Sequence, residues 1–297
     1  MPKSFSLPSF AKINWHLRVL GKREDGFHEI FTVFQTISLH DTIYFDQSDD
    51  LALTCDDVSV PTDERNLIIR AAKALRRSIG IDKGAAFHLE KRIPSPGGLG
   101  GGSSNAAVTL FGLSRLWDVD IEYREMKAIA AGLGSDVPFF LHGGTAIGTG
   151  RGEVVESIAE ADEHFMLIVT PNISMSTQNA FEGMKAPTLT NDGLNRILPV
   201  CRPEAESRDF RHAVLKNDFE ESVFFAHPEI RRVKETLIEL GAVNAAMSGS
   251  GASVFAIFDK QETRQTAIKA LDKESTWRKF AVATISRDQY REALGIG

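Results

Sequence analysis

The sequence predicts an α+β protein of two domains, and three observations lead to that class. With 297 residues, the chain is longer than a single hydrophobic core usually organises. Patterns typical of strands and of helices are mixed along it, without the strict alternation that a doubly wound parallel sheet requires. A change of composition over residues 153–163 predicts the boundary, which gives an N-terminal domain over residues 1–158 and a C-terminal domain over residues 159–297.

Hydrophobic periodicity predicts the elements of the first domain. Residues 11–20 alternate between apolar and polar side chains, which predicts a strand with one buried face and one polar face that carries Lys12 and Asn14. Apolar residues three and four apart predict helices elsewhere. The remaining predicted strands cover residues 27–39, 41–45, 85–92 and 145–147, and the predicted helices cover residues 66–79, 103–117 and 121–131.

The second domain is predicted to begin with a strand and to continue with helices. A glycine-rich turn between two apolar runs predicts a strand, a turn and a strand over residues 245–258. The other predicted strands cover residues 165–170 and 280–285, and the predicted helices cover residues 204–215, 218–225, 228–240 and 262–271.

Composition narrows the functional classes. The net charge is −6, and a nucleic-acid-binding surface needs the opposite sign, so no nucleic-acid partner is expected. Two distant cysteines, Cys55 and Cys201, provide neither a disulfide framework nor a zinc site. Apolar runs such as residues 165–169 are too short to cross a bilayer, and residues 1–6 lack the apolar core of a secretion signal. We therefore expect a cytoplasmic protein without a membrane partner.

Residues 94–105 form the most informative segment, PSPGGLGGGSSN. Five glycines in six positions let the main chain approach a ligand closely and direct several N–H groups at it. The helix predicted to follow adds its unpaired N–H groups and its positive dipole end, which together favour an anion. Ser103 or Ser104 is a candidate N-cap and phosphate contact. The segment fits neither the Walker A pattern nor the dinucleotide-binding pattern, and a flexible linker is the alternative.

Three motifs in the expected order resemble those of the GHMP kinases, the superfamily of galactokinase, homoserine kinase and mevalonate kinase. They cover residues 9–14, 94–107 and 246–255. The resemblance implies a two-domain architecture with the active site in the interdomain cleft, and it implies ATP as cosubstrate. The ATP-binding residues that it implies are Asn66, Lys91, Pro94, Ser95, Pro96, Gly97, Gly98, Leu99, Gly100, Gly101, Gly102, Ser103, Ser104 and Asn105. For Asn66 and Lys91 the alternative is a structural role, at the start of a helix or at the end of a strand, which fits the sequence equally well.

Within the superfamily, residues 21–28 and 133–140 resemble the branch that phosphorylates 4-diphosphocytidyl-2-C-methyl-D-erythritol in the non-mevalonate isoprenoid pathway. The branch usually has tyrosine where this chain has Phe27, so the ring face for stacking is kept and a hydroxyl contact is lost. A homoserine or mevalonate kinase-like enzyme is the alternative within the superfamily. A nucleotide- or RNA-binding module without catalysis is the alternative outside it.

The resemblance implies that Asp136 is the general base and that Lys12 assists it. Asp136 precedes residues 137–138, Val-Pro, a good helix start, so its carboxylate is expected at a positive helix end. An ionised carboxylate within reach of a hydroxyl can accept its proton, and an ammonium offsets charge on the transferred phosphoryl group. A helix cap and an exposed strand residue are the alternatives for the two positions.

The resemblance also implies the substrate-binding residues. It places Phe27 and Phe181 on opposite faces of a cytosine, with His28 at the edge of the base. A flat base with a donor–acceptor edge suits such stacking. Asn14 and Thr177 map to positions near the erythritol phosphate region. With 19 phenylalanines in the chain, a core position is the alternative for each ring.

No cluster of His, Asp and Glu at ligand spacing is present in the sequence, so Mg²⁺ is expected to arrive on the nucleotide and no protein metal site is expected. The expected partner is a small-molecule substrate, and the expected assembly is a monomer or a weak homodimer.

Overall fold

The computed structural model describes residues 4–184, 198–203 and 207–296. Two sheets organise this part of the chain, and they confirm the predicted α+β class. A seven-stranded sheet has the order β3-β4-β2-β1-β8, with β5 paired to β2 and to β6, and a four-stranded sheet has the order β11-β7-β10-β9. The strands are β1 Ser4–Lys22, β2 His28–Asp46, β3 Leu51–Cys55, β4 Ala85–Glu90, β5 Thr145–Thr149, β6 Val154–Ser157, β7 Phe165–Pro171, β8 Lys216–Asn217, β9 Asn244–Met247, β10 Val254–Phe258 and β11 Trp277–Val282.

Helices cover the outer faces of both sheets. Those with both ends described are α1 Leu67–Ile79, α2 Gly101–Trp117, α3 Tyr123–Leu133, α4 Thr177–Glu182, α5 Glu220–Ala226, α6 Pro228–Glu239, α7 Gln261–Ala270 and α8 Arg287–Leu294, with short 3₁₀ helices at Val137–Leu141 and Leu271–Lys273. Residues 198–203 are also helical. Across the residues that are described, none of these helices is both long enough and apolar enough to span a membrane.

Three apolar cores hold the layers together. The first lies between the large sheet and α1, α2, α3 and α8, and the second lies between the small sheet and the helices of the second half. The third lies between the two sheets, where the Trp15 indole stacks on the Phe210 ring with centroids 4.4 Å apart. Strand β1 is therefore covered on both faces, and the predicted polar face is also buried, with Lys12 3% and Asn14 2% exposed.

Several predicted elements differ from the structure. The predicted strands over residues 27–39 and 41–45 form the single strand β2, and α2 begins at Gly101 rather than at Ser103. Residues 207–215 are not helical, although a helix was predicted over residues 204–215. The apolar residues of this segment are spaced as in a helix, but Phe210 is buried in the third core instead. The carbonyl oxygens of Phe210 and Ala213 accept hydrogen bonds from Asn244 Nδ2 at 3.0 and 2.8 Å.

The chain crosses from the large sheet to the small one between β6 and β7 and later returns twice. Strand β8 pairs parallel to β1, and helix α8 packs into the first core through Tyr290 and Leu294. The sequence did not predict α8. The division at residues 158 and 159 stays a prediction, because elements from both sides of it build the layer around the large sheet.

Candidate active site

Lys12 lies where three loops meet. Its ammonium is 3.3 Å from Asp136 Oδ2 and donates to Asn14 Oδ1 at 2.6 Å. Its main-chain N–H donates to the Leu99 carbonyl oxygen at 2.9 Å, which ties strand β1 to the glycine-rich loop. A Cβ added at Gly249 would lie 3.3 Å from Lys12 Nζ, so the third glycine turn also approaches the ammonium. The predicted pair of Lys12 and Asp136 is thus brought together.

Asp136 stands at the start of the 3₁₀ helix Val137–Leu141, as its sequence position predicts. Its side chain makes no capping hydrogen bond to that helix, and 31% of the side chain is exposed. The capping alternative therefore has no support in the geometry. The carboxylate is left available to a ligand in the cleft.

The glycine-rich loop has a backbone that side chains would not permit. Gly98 has φ +72°, and a Cβ added there would lie 2.1 Å from the carbonyl oxygen of Ser248. Gly100 is the N-cap residue of α2 with φ +70°, and no side chain caps the helix, so neither Ser103 nor Ser104 is the predicted cap. Because the first N–H groups of α2 lack a side-chain acceptor, the helix start suits an anion.

These parts surround one cleft of about 340 Å³ between the two halves of the chain. The large sheet contributes Lys12 and Asn14, and the second half contributes the turn 249–251 and the rings of Phe181 and Phe219. The cleft is lined by Lys12, Asn14, Leu17, Ile30, Phe34, Leu67, Pro94, Ser95, Pro96, Gly97, Gly98, Leu99, Gly100, Gly101, Gly102, Ser103, Ser135, Asp136, Arg151, Met175, Phe181, Phe219, Gly249, Ser250 and Gly251.

Four of the predicted ATP-binding residues are placed outside this lining. Asn66 caps α1, where its Oδ1 accepts from the Ile68 N–H at 2.9 Å. The Lys91 ammonium pairs with the fully buried carboxylate of Asp41 at 2.8 Å. Ser104 accepts from the Ser9 hydroxyl at 2.8 Å, and Asn105 donates to Asp41 at 3.2 Å. For Asn66 and Lys91, these are the structural roles that the sequence left open.

Of the three residues of the predicted aromatic pocket, Phe181 lines the cleft, whereas Phe27 and His28 do not. The rings of His28 and Phe181 stack with centroids 4.7 Å apart and an interplanar angle of 15°. Phe27 is 51% exposed, and the Arg151 guanidinium lies over its ring at 4.7 Å. Burial and the nearby charge of Lys22 lower the pKa of His28. The side chain of Thr177 lies outside the described residues.

Matches to known protein families cover the second and third of the three motifs. The sequence matches the family of GHMP kinases N terminal domains over residues 66–144 and that of GHMP kinases C terminal domains over residues 203–275. A 4-diphosphocytidyl-2-C-methyl-D-erythritol kinase of Chlorobium phaeobacteroides is 40% identical over 272 residues, which cover 89% of this chain and 92% of the relative. The chain is a GHMP kinase of the 4-diphosphocytidyl-2-C-methyl-D-erythritol kinase family. A relative of the same name from Thermodesulfovibrio yellowstonii is 39% identical over 264 residues, with 88% and 92% covered.

Solved structures of GHMP kinases share the whole architecture. A crystal structure of 4-(cytidine 5′-diphospho)-2C-methyl-D-erythritol kinase matches with a TM-score of 0.76 and 30% identity, over 94% of this chain and 99% of that one. A homoserine kinase from Cytophaga hutchinsonii matches with a TM-score of 0.73 at 19% identity, over 97% of both chains, and shares the fold. The predicted two-domain GHMP kinase architecture is confirmed, and the chain is a phosphotransferase for which a nucleotide substrate is expected.

Sequence reasoning missed three residues that shape the site of this GHMP kinase. Asp41 accepts from the N–H groups of Arg92 and Ile93, both at 2.8 Å, and so fixes the strand end that enters the glycine-rich loop. Asn217 Nδ2 donates to the carbonyl oxygens of Met247 and Gly249, both at 2.8 Å, and holds the opposite turn. Arg151 follows a glycine-punctuated strand. The glycines on both sides of Arg151 were a signal in the sequence that could have identified it. No local pattern in the sequence indicates that Asp41 or Asn217 hydrogen-bonds to a loop of the site.

Proposed function

We propose that this kinase transfers the γ-phosphoryl group of ATP to a hydroxyl of 4-diphosphocytidyl-2-C-methyl-D-erythritol, as a step of non-mevalonate isoprenoid synthesis. One observation carries the proposal. The Lys12 ammonium lies 3.3 Å from Asp136 and against the glycine-rich loop, so a base, a cation and a phosphate cradle face one space. Relatives up to 40% identical that are named for this kinase activity support the choice of substrate.

Asp136 is the general base in this proposal. Its carboxylate caps no helix and is partly exposed in the cleft, so it can approach the acceptor hydroxyl and take its proton as the oxygen attacks phosphorus. Lys12 orients that carboxylate and offsets the negative charge on the transferred group. Phosphoryl transfer depends mainly on such positioning and charge compensation, which is why two residues are enough.

The glycine-rich loop and the start of α2 hold the phosphates of ATP. A Cβ at Gly98 or Gly100 would clash with atoms that are already present, so glycine at both positions lets the main chain itself line the cleft. Among the residues that the structure describes, no group of three or more His, Cys, Asp and Glu side chains is arranged to hold a metal ion. We propose that Mg²⁺ enters bound to the nucleotide phosphates.

Phe27, His28 and Phe181 form the cytosine side of the site. One face of the Phe181 ring is stacked on His28, and the Arg151 guanidinium lies over one face of the half-exposed Phe27 ring. A pyrimidine that stacked on these same faces would displace His28 or Arg151. Asn14 lines the same cleft as Lys12 and lies on the side of the site that binds the alcohol to be phosphorylated.

The test is release of ADP with a panel of three alcohols, 4-diphosphocytidyl-2-C-methyl-D-erythritol, homoserine and mevalonate. We expect rapid turnover with the cytidine-containing alcohol alone. Comparable turnover with homoserine or mevalonate would overturn the substrate, and the absence of ADP release with all three would overturn the reaction.

A further inference from the structure

A chain of hydrogen bonds runs from Lys12 into the large sheet, and its proton positions are determined. An ammonium has no acceptor, so the atom of Asn14 at 2.6 Å from Lys12 Nζ is the amide oxygen. Asn14 Nδ2 then donates to Thr32 Oγ1 at 2.7 Å. Thr32 in turn gives its hydroxyl proton to the His16 carbonyl oxygen at 2.7 Å. Each partner therefore has a fixed role as donor or acceptor.

Thr32 is fully buried, and it does not line the cleft. Its hydroxyl proton is committed to a carbonyl oxygen, so only its lone pairs face Asn14. Those lone pairs accept an N–H group and would repel the amide oxygen. Thr32 therefore selects the amide orientation that turns Asn14 Oδ1 toward Lys12.

We propose that Thr32 is a positioning residue for phosphoryl transfer, which acts through Asn14 to hold the Lys12 ammonium beside Asp136. The inference rests on the proposed function of Lys12. If the amide turned over, the NH₂ group would face the ammonium, Lys12 would lose its neutral acceptor, and its distance from Asp136 would change. A shift of about 1 Å at a reacting group is enough to cost on the order of a hundredfold in rate.

The test uses Thr32→Val, which keeps the shape of the side chain and removes the hydroxyl. We expect kcat to fall on the order of ten- to a hundredfold, with KM for ATP unchanged within about twofold, because the glycine-rich loop is untouched. Thr32→Ser returns the hydroxyl and should recover most of the lost kcat. Thr32→Ala takes the place of Thr32→Val if the latter does not fold.

Thr36→Val is the matched control. Thr36 lies on the same strand, is also fully buried, and its hydroxyl has no hydrogen-bond partner within the described residues. Removal of this hydroxyl should leave kcat and KM as in the parent protein. An equal fall of kcat in Thr32→Val and Thr36→Val would mean that replacing any buried threonine of this strand disturbs its packing. That result would overturn the inference.

A double-mutant cycle with Lys12→Ala separates the inference from the proposed function. If Thr32 acts through Lys12, Thr32→Val should lower kcat by less than about twofold when Lys12 is already alanine. The same loss in both backgrounds, or full activity of Thr32→Val alone, would overturn the role of Thr32. Full activity of Lys12→Ala would instead overturn the proposed role of Lys12.

Discussion

Lys12 keeps a cationic side chain in a position that is 3% exposed, and its neighbours explain how the fold tolerates it. Asp136 supplies an opposite charge at 3.3 Å, and Asn14 supplies a carbonyl dipole at 2.6 Å. The ammonium also lies 5.6 Å from the centre of the Phe34 ring. Burial of a charge without such partners would destabilise the folded state, so these three neighbours are what allows an ammonium at this buried position.

Asp136→Asn should lower kcat on the order of 10²- to 10⁴-fold, because the amide cannot take the proton of the acceptor. The free energy of unfolding should fall by about 1–3 kcal/mol, because the buried Lys12 ammonium loses its opposite charge, although the carboxylate itself is partly exposed and caps no helix. Single-turnover rates, ATP affinity and melting temperature on one preparation measure these effects. Asp162→Asn, at an exposed ion pair with Arg208, is the control. Normal turnover with a lower melting temperature would mean that Asp136 is structural.

His142 provides a prediction about pH. Burial, together with the charges of Lys127, Arg287 and Arg291, lowers its pKa to about 4 from the ordinary 6.5. The unfolded chain therefore binds a proton more readily than the folded one, and stability is lost as the pH falls from 6.5 toward 4. The Tyr123 hydroxyl lies 2.6 Å from His142 Nε2 and is expected to donate to the neutral ring.

His142→Gln should reduce the difference between the melting temperatures at pH 7.5 and pH 5, because glutamine keeps an acceptor and does not titrate. Burial lowers the pKa of His164 as well, so part of the acid sensitivity should remain. His88→Gln, at an exposed position on β4, is the control and should leave the difference unchanged. An unaltered pH dependence in His142→Gln would contradict the assignment.

At the scale of elements, the glycine-rich loop is held from both sides. Asp41 fixes the strand end that leads into it, and the turn after β9 closes on its opposite face. Ser248 Oγ donates to the Gly98 carbonyl oxygen at 3.0 Å, and the Ser253 N–H donates to the Gly97 carbonyl oxygen at 3.2 Å. The loop is therefore a fixed part of the site, in contrast to the flexible linker that the glycine run alone allows.

Gly98→Ala should sharply weaken ATP binding while the protein remains folded. The methyl group would meet the Ser248 carbonyl oxygen at 2.1 Å, and φ +72° is strained for alanine, so the loop must move away from the turn. Calorimetry with ATP measures the effect. Gly132→Ala makes the same chemical change in α3 with no atom within 4 Å, and it should leave binding unchanged. Equal ATP affinity in both variants would mean that the loop does not hold the phosphates.

The sequence predicted most helices and strands because the apolar periodicity that marks them is local. It predicted the candidate site residues that belong to glycine-rich or charged motifs. It failed where long-range packing decides the outcome. Residues 207–215 have helical spacing but serve the core between the sheets, and Lys91 precedes the loop in sequence but turns inward to Asp41. The stack of His28 on Phe181 joins residues far apart in the chain, and no local pattern encodes it.

At the scale of the whole molecule, helix α8 supports the short 3₁₀ helix that follows Asp136. Tyr290 is fully buried, and its hydroxyl donates to the Phe140 carbonyl oxygen at 2.5 Å, in the 3₁₀ helix that follows Asp136. Burial raises the pKa of Tyr290 far above its usual value, so the phenol remains a donor at any ordinary pH. The helix thus connects the C-terminal part of the chain to the segment that begins at Asp136.

Tyr290→Phe should lower the free energy of unfolding by about 1–2 kcal/mol, because a buried carbonyl oxygen loses its donor while the packing stays. Thermal melting measures the change. Tyr44→Phe removes a hydroxyl from an exposed ion-dipole contact with Glu90 and should have no measurable effect. Equal melting temperatures for the two variants would mean that the Tyr290 hydrogen bond contributes nothing.

The position of α8 also has a consequence for synthesis. The strand whose Phe10 ring lies 5.8 Å from the Tyr290 ring leaves the ribosome some 280 residues before the helix that covers it. Until then, the first core has an open apolar surface, which chaperones recognise in nascent chains. We therefore expect the first core to close, and the 3₁₀ helix after Asp136 to gain its hydrogen bond from Tyr290, only when residues 287–294 have emerged.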